Sequence, residues 1–218
     1  MANKKTPKKK SNRQTIIIGI IALIIIVIGA YAVIRQPGSQ NTNSSNPTTT
    51  PTTSPASNTN GTKVLFQTTA GNITIQLYTD KPITTANFIN IVQKGWYDGT
   101  TFHRVIAGFM IQGGAISQTI PTISDEIGTN NRNLPYTIAM AKTNQPNSAT
   151  SEFFINVADN GANNPDFDST YTVFGSVISG QSVVDAIANA PVTANPSIPG
   201  EVSTPVNPVS IIKATIIP

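Results

Sequence analysis

The chain has 218 residues, with 14 Lys/Arg against 10 Asp/Glu, one histidine and no cysteine, for a formal net charge of +4. The missing cysteines exclude a disulfide scaffold and a thiolate metal site, and a single histidine leaves only scattered carboxylates as ligands, so no metal or other cofactor is expected. The positive balance sits in the first fifteen residues, where Lys4, Lys5, Lys8, Lys9, Lys10 and Arg13 stand without an acid; residues 63–218 carry seven Lys/Arg against ten Asp/Glu, which argues against a nucleic-acid partner.

Residues 16–34, IIIGIIALIIIVIGAYAVI, contain no charge. A helix of that length spans roughly 29 Å, about one hydrocarbon core. With the basic tail before it and only Arg35 just after it, the charge bias predicts a signal anchor with a cytoplasmic N-terminus and an exported remainder. The competing reading is a signal peptide cleaved near Ala30-Tyr31-Ala32 and a secreted product. No cysteine follows this segment, so lipid attachment is excluded. Residues 35–62 are rich in Ser, Thr, Pro and Asn, lack bulky apolar side chains, and read as a disordered linker. The organisation is therefore a basic tail (1–15), a transmembrane anchor (16–34), a linker (35–62) and one domain (63–218).

Within the domain, Lys63 to Thr69 and Ile73 to Tyr78 flank Ala70-Gly71-Asn72 as a hairpin, with Ile73, Ile75 and Leu77 at period two. A helix follows Pro82, placing Phe88, Ile91 and Val92 on one face and stopping at Gly95. Strands are expected at 101–106, 109–112, 136–141, 153–157 and 171–177. A second helix is expected with Ser182 as N-cap and Val183, Val184 and Ile187 inward, ending before Pro191. Residues 193–208 read as a proline-rich loop, and 209–217 as a closing strand. Many short strands with two helices predict a mainly β domain, an antiparallel barrel or sandwich with helices on its ends.

No Gly-x-Ser-x-Gly elbow marks a nucleophilic serine, and no Walker or dinucleotide loop is present. The stretch Phe102 to Gly114, FHRVIAGFMIQGG, reads as two core strands joined by a bend at Ala107-Gly108. Arg104 and Gln112 stand inside that apolar run and need polar partners there.

This stretch resembles the signature of the cyclophilin family of peptidyl-prolyl cis-trans isomerases. The segment IAMAKTNQPNSATSEFFINV (138–157) resembles the family's second signature in its prokaryotic form. The resemblance extends through AGNITIQLYTDKPITTANF, WYDGTTFHR and YTVFGSVISGQSVVDAI. It implies a closed antiparallel eight-stranded β-barrel capped by two α-helices, acting as a monomer on proline-containing polypeptides. It further implies an apolar proline pocket formed by Phe109, Met110, Phe154, Phe167 and Tyr171. Gln112 would bind the substrate backbone and orient Arg104, and Ala141 and Lys142 would lie on an edge strand where an extended peptide pairs. His103 either touches bound peptide or serves as a hydrogen-bonded structural residue. Two departures stand out: Glu152 occupies a position where the pattern has glutamine, and is expected to pair with Arg104; Asp166 stands where cyclosporin-sensitive members carry a tryptophan, which implies weak cyclosporin binding.

The chemistry suits these residues. Prolyl isomerisation rotates an amide C–N bond against a barrier of about 18–20 kcal/mol and needs no nucleophile. As resonance is lost the proline nitrogen regains a lone pair, so a fixed donor aimed at it binds the twisted state better than the planar ones. Arg104, always charged and rigid in its donor geometry, is assigned that role. Strict alternation from Arg104 puts Met110 and Gln112 on its face and Phe109 on the other, so convergence of all four requires a bend or bulge at Ala107-Gly108. The expected function is an enzyme that assists folding of exported or surface proteins; the competing one is a proline-peptide-binding module or scaffold with little turnover.

Overall fold

Runs of β-branched and aromatic residues between Gly, Pro and Asn clusters set the strands. The computed structural model describes residues 61–218; the basic tail, the apolar span and the linker up to residue 60 lie outside the described residues. Among the described residues no helix is long and apolar enough to cross a membrane. The elements in chain order are β1 (Lys63–Thr68), β2 (Gly71–Leu77), α1 (Pro82–Gln93), β3 (Arg104–Ile106), β4 (Met110–Gly113), β5 (Thr137–Met140), β6 (Phe153–Asn156), α2 (Asn160–Asn163), α3 (Phe167–Thr170), β7 (Val173–Ser179), α4 (Gln181–Ala188), β8 (Val192–Ala194), β9 (Val202–Pro205) and β10 (Ile211–Ile217).

Eight strands form one antiparallel sheet in the order β10-β1-β2-β7-β5-β6-β4-β3, and β8 pairs with β9 apart from it. The expected closed barrel is corrected to a curled half-barrel with two ends. Its end strands approach through a lone bridge, Thr101 to Ser210, flanked by Phe102 N–H donating to Val209 O at 3.0 Å and Ile211 N–H to Thr100 O at 2.8 Å. With only three residues, all paired to β4, β3 leaves its outer flank to β9, which packs against it.

The concave face holds the main core. Phe66, Phe88, Tyr97, Phe102 and Phe153 are fully buried there, and their rings meet edge-on or tilted, as in Phe88 to Tyr97 at 5.2 Å and Phe88 to Phe153 at 5.8 Å. The helix α1 delivers Phe88, Ile91 and Val92 to this cluster as its periodicity predicts. Its first residue is Pro82, and Lys81 makes no side-chain cap. Glu126, from the loop after β4, caps it instead, accepting from Ile83 N at 3.1 Å and Thr84 N at 2.7 Å. A carboxylate suits this position, where unpaired N–H groups and the helix dipole meet.

The second helix, α4, buries Val184 and Ile187, but its N-cap is Gly180 at φ +91° and not Ser182. The chain turns there against the backbone of Asn72 and Ile73, leaving no room for a Cβ. Two single-turn helices, α2 and α3, add to the expected pair. The expected proline-rich loop also contains structure, the β8–β9 hairpin, in which Val192 faces Pro205 and Thr193 faces Thr204.

Strands β4, β5 and β6 are buried on both faces. Ile111, Ile138, Met140, Phe153 and Ile155 point into the main core. The alternate residues Met110, Ala139 and Phe154 join Ala141, Phe167 and Val173 in a second cluster on the convex side. That second cluster carries the candidate site.

Candidate active site

Strand register builds the site one row at a time. Arg104 on β3 faces Gln112 on β4, Gln112 faces Phe154 on β6, Phe154 faces Ala139 on β5, and Ala139 faces Val173 on β7. Residues directly opposite in antiparallel strands share a face, so this row runs along the convex surface. A second row sets Ile106 opposite Met110, and Met110 opposite Asn156. Between β3 and β4 a tight turn places Gly108 at φ +71°, with Phe109 N–H donating to Ile106 O at 3.1 Å. Phe109 thus belongs to the turn and escapes strand alternation, which meets the requirement the sequence set at Ala107-Gly108.

These rows converge on a hollow lined by Arg104, Phe109, Met110, Gln112, Ala141, Lys142, Phe154, Phe167 and Tyr171. Its aromatic wall is continuous: Phe109 meets Phe167 at 5.6 Å, Phe154 meets Phe167 at 5.8 Å and Tyr171 at 5.4 Å, and Phe167 meets Tyr171 at 4.5 Å. Phe167 and Tyr171 come from α3 and its C-terminal end, held from behind by buried asparagines. Asn131 donates to Asp168 O at 2.6 Å and Tyr171 O at 2.8 Å and accepts from Val173 N at 2.8 Å. Asn133 N–H donates to Asp168 Oδ1 at 2.7 Å. Burial of the Tyr171 phenol pushes its pKa up, although the charge of Arg104 acts in the opposite direction.

The expected partner of Arg104 is corrected. Glu201, in the turn before β9, takes the guanidinium fork: Nε donates to Oε1 and Nη2 to Oε2, each at 2.6 Å. Both side chains are buried, 3% and 5% exposed, so this is a desolvated ion pair. Nη1 remains on the pocket side, 3.3 Å from Gln112 Oε1 and 3.9 Å from Met110 Sδ. Burial alone pushes the Glu201 carboxyl up, but hydrogen bonds from Arg104 and Ser203 and the arginine charge outweigh it and hold it below the usual range.

Glu152 accepts from Gln112 Nε2 at 2.8 Å and lies 3.4 Å from His103 Nε2. Burial pushes its carboxyl up, while His103 and Gln112 bring it below the ordinary value. His103 and Glu152 therefore stand beside the hollow and not in its lining. The edge-strand expectation for Ala141 and Lys142 is also corrected. They follow β5, which is paired on both sides by β6 and β7. Ala141 N–H donates to Glu152 O at 2.9 Å, and Lys142 Nζ is held by Asp125 Oδ2 at 2.8 Å.

Sequence reasoning missed Glu201, Asn131 and Asn133. Glu201 left a signal, being the only charged residue between Asp185 and Lys213. An acid isolated in an uncharged segment is a candidate partner for a buried cation. The asparagines left none, because this residue type is abundant in turns.

Residues 63–216 match the family described as cyclophilin type peptidyl-prolyl cis-trans isomerase/CLD, and the chain belongs to that family. It is 45% identical over 163 residues to a peptidyl-prolyl cis-trans isomerase of Acinetobacter baylyi, covering 71% of this chain and 85% of the relative. It is 44% identical over 165 residues to one from Streptomyces antibioticus, covering 71% and 98%. A Cryptosporidium parvum cyclophilin solved in the presence of the dipeptide Ala-Pro superposes with a TM-score of 0.62 at 26% identity, over 72% of this chain and 99% of the other. The protein is an enzyme, a cyclophilin-type peptidyl-prolyl cis-trans isomerase.

Proposed function

We propose that this isomerase acts on proline-containing segments of exported or surface polypeptides, held to the membrane by residues 16–34 with its domain outside the cytoplasm. The prokaryotic form of the second motif and the agreement with the Acinetobacter and Streptomyces isomerases support a bacterial-type enzyme. The proline ring sits among Phe109, Met110, Phe154, Phe167 and Tyr171. Gln112, flanked by His103 and Glu152, binds the substrate backbone, while Ala141 and Lys142 border the residue preceding the proline. Arg104 donates through Nη1 to the prolyl nitrogen as its lone pair develops, with no covalent intermediate and no change of net protonation. The observation that carries this mechanism is the position of Nη1, the part of the guanidinium not bound by Glu201, beside the pocket residues Gln112 and Met110. Preferential binding of the twisted amide by about 4 kcal/mol gives roughly a thousandfold rate.

The test is a protease-coupled proline-peptide assay on the full chain and on Arg104→Ala and Arg104→Lys, with circular dichroism confirming folding. Both variants are expected to lose at least about tenfold in kcat/KM, since lysine keeps the charge but not the planar fork. Equal rates in all three proteins would remove Arg104 from the mechanism. For the location, protease added to intact cells is expected to degrade the domain and leave a membrane-bound N-terminal fragment. Protection of the domain refutes export, and a chain processed near Ala32 and released into the medium refutes the anchor.

A further inference from the structure

We infer that Glu201 is a positioning residue for the isomerase reaction, and that the β8–β9 hairpin packs on β3 in order to present it to Arg104. The inference rests on the assignment of Arg104 as donor to the prolyl nitrogen. An arginine side chain has four rotatable bonds, and a guanidinium held only through Nη1 is free to swing about its long stem. Two parallel charge-assisted bonds at 2.6 Å remove that freedom by fixing the plane of the group as well as its position. With Nε and Nη2 engaged, Nη1 is left as the donor beside Gln112 Oε1 and Met110 Sδ, both of which line the hollow.

The carboxylate is itself held by its own hairpin. Ser203 Oγ–H donates to Glu201 Oε1 at 2.5 Å, and Asn195 Nδ2 donates to Ser203 Oγ at 2.9 Å. The main chain is pinned too: Asn195 N–H donates to Glu201 O at 2.8 Å and Glu201 N–H to Ile198 O at 3.1 Å. Ser203 is fully buried. A hairpin that only covered β3 would need apolar contacts and no acid. This one carries a single acid, directed through a chain of three hydrogen-bonding side chains at the pocket arginine. Glu201 also supplies the opposite charge that a guanidinium 3% exposed requires in a wall that is mostly apolar.

The experiment compares the full chain with Glu201→Gln, Ser203→Ala and Arg104→Ala, resolving proline-peptide turnover into kcat and KM and recording the Arg104 Nε–H signal by ¹H–¹⁵N NMR. The amide introduced by Glu201→Gln offers one acceptor and one N–H donor to a fork that presents only donors. This variant is therefore expected to lower kcat about tenfold, with KM within about twofold, because the misplaced guanidinium does not bind the ground state. The slowly exchanging Nε–H signal is expected to disappear in the same variant. Ser203→Ala keeps the charge and is expected to lower kcat about threefold; it decides the matter if Glu201→Gln does not fold. Wild-type kcat in the folded variants, or a loss carried by KM alone, overturns the inference. A fallen rate in Arg104→Ala beside a wild-type rate in Glu201→Gln overturns it while sparing the donor assignment; a wild-type rate in Arg104→Ala overturns both.

Discussion

Gln112 donates through Nε2 to Glu152 Oε2 at 2.8 Å. Because its Oε1 already accepts from Arg104 Nη1, the amide is locked in one of its two orientations, nitrogen toward the acid and oxygen toward the arginine. Glu152 thus acts on the site through Gln112, where the glutamine of the family pattern would present an ambiguous amide.

Substitution at Glu152 separates charge from orientation. Glu152→Gln retains an acceptor for Gln112 Nε2 and is expected to change kcat/KM by less than about threefold, whereas Glu152→Ala releases the amide and is expected to cost about tenfold, the value of one charge-assisted hydrogen bond. Turnover of the two variants at neutral pH checks this, and equal losses in both would assign the effect to charge.

The two acids predict an acid-side stability profile. Folding lowers the pKa of Glu201 and of Glu152, so the folded state binds fewer protons than the unfolded chain. Their contribution is fully present above the unfolded carboxylate value, about 4.3, and is lost as pH falls through the lower folded values. Melting temperatures taken from pH 7 to pH 2.5 are expected to fall more steeply for the wild type than for Glu201→Gln, with the gap narrowing toward the acid end. A constant gap would contradict the linkage.

The aromatic wall predicts a joint loss of stability and activity. Phe167 is 4% exposed and touches Phe109, Phe154 and Tyr171. Phe167→Ala is expected to destabilise the domain by about 3 kcal/mol. The expected fall in kcat/KM exceeds the unfolded fraction, because the proposed seat for the proline ring is gone. Denaturant unfolding alongside turnover measures both.

The asparagine behind that wall predicts a subtler defect. Asn131→Ala leaves Val173 N–H and two backbone carbonyls without their partner, at a cost of about 1–3 kcal/mol for each buried group left unpaired. Amide hydrogen exchange is expected to rise at residues 167–173 before it rises in β1 or β2. Uniform acceleration across the domain would deny the asparagine its local role.

Asp166 is exposed and precedes the first residue of α3, Phe167, which lines the hollow. Cyclosporin is expected to bind weakly to the wild type and more tightly to Asp166→Trp, which restores an indole beside the aromatic wall. Submicromolar inhibition of the wild-type enzyme defeats this expectation.

The strands were legible because both faces of β4, β5 and β6 are buried, and apolar runs interrupted by Arg104 and Gln112 are visible without a structure; the pocket residues Phe109, Met110, Phe154, Phe167 and Tyr171 followed from the family resemblance and not from the pattern. The break in alternation at Ala107-Gly108 followed from requiring Phe109 and Arg104 to share a site. What was not legible depended on contacts distant in sequence. Glu126 caps a helix some 40 residues away, and Glu201 meets Arg104 across 97 positions; no local pattern encodes either pairing. The closed barrel failed for a related reason, since strand count does not reveal that β3 is cut to three residues and covered by β9. Single-turn helices such as α2 and α3 are too short to show a period.

The pairing of β1 with β10, from Lys63 opposite Ile217 to Thr68 opposite Ile211, bears on when the enzyme becomes competent. Until β10 is available, the flank of β1 that faces it has unpaired backbone N–H and C=O groups. Glu201 arrives in the same final segment. The pairing of β1 with β10 and the clamp on Arg104, whose partners lie 97 positions apart, both depend on residues from the last part of the domain, and contacts so distant in sequence carry a loop-closure cost. A copy ending before residue 201 would carry every side chain that lines the hollow and still lack the carboxylate that holds the Arg104 guanidinium.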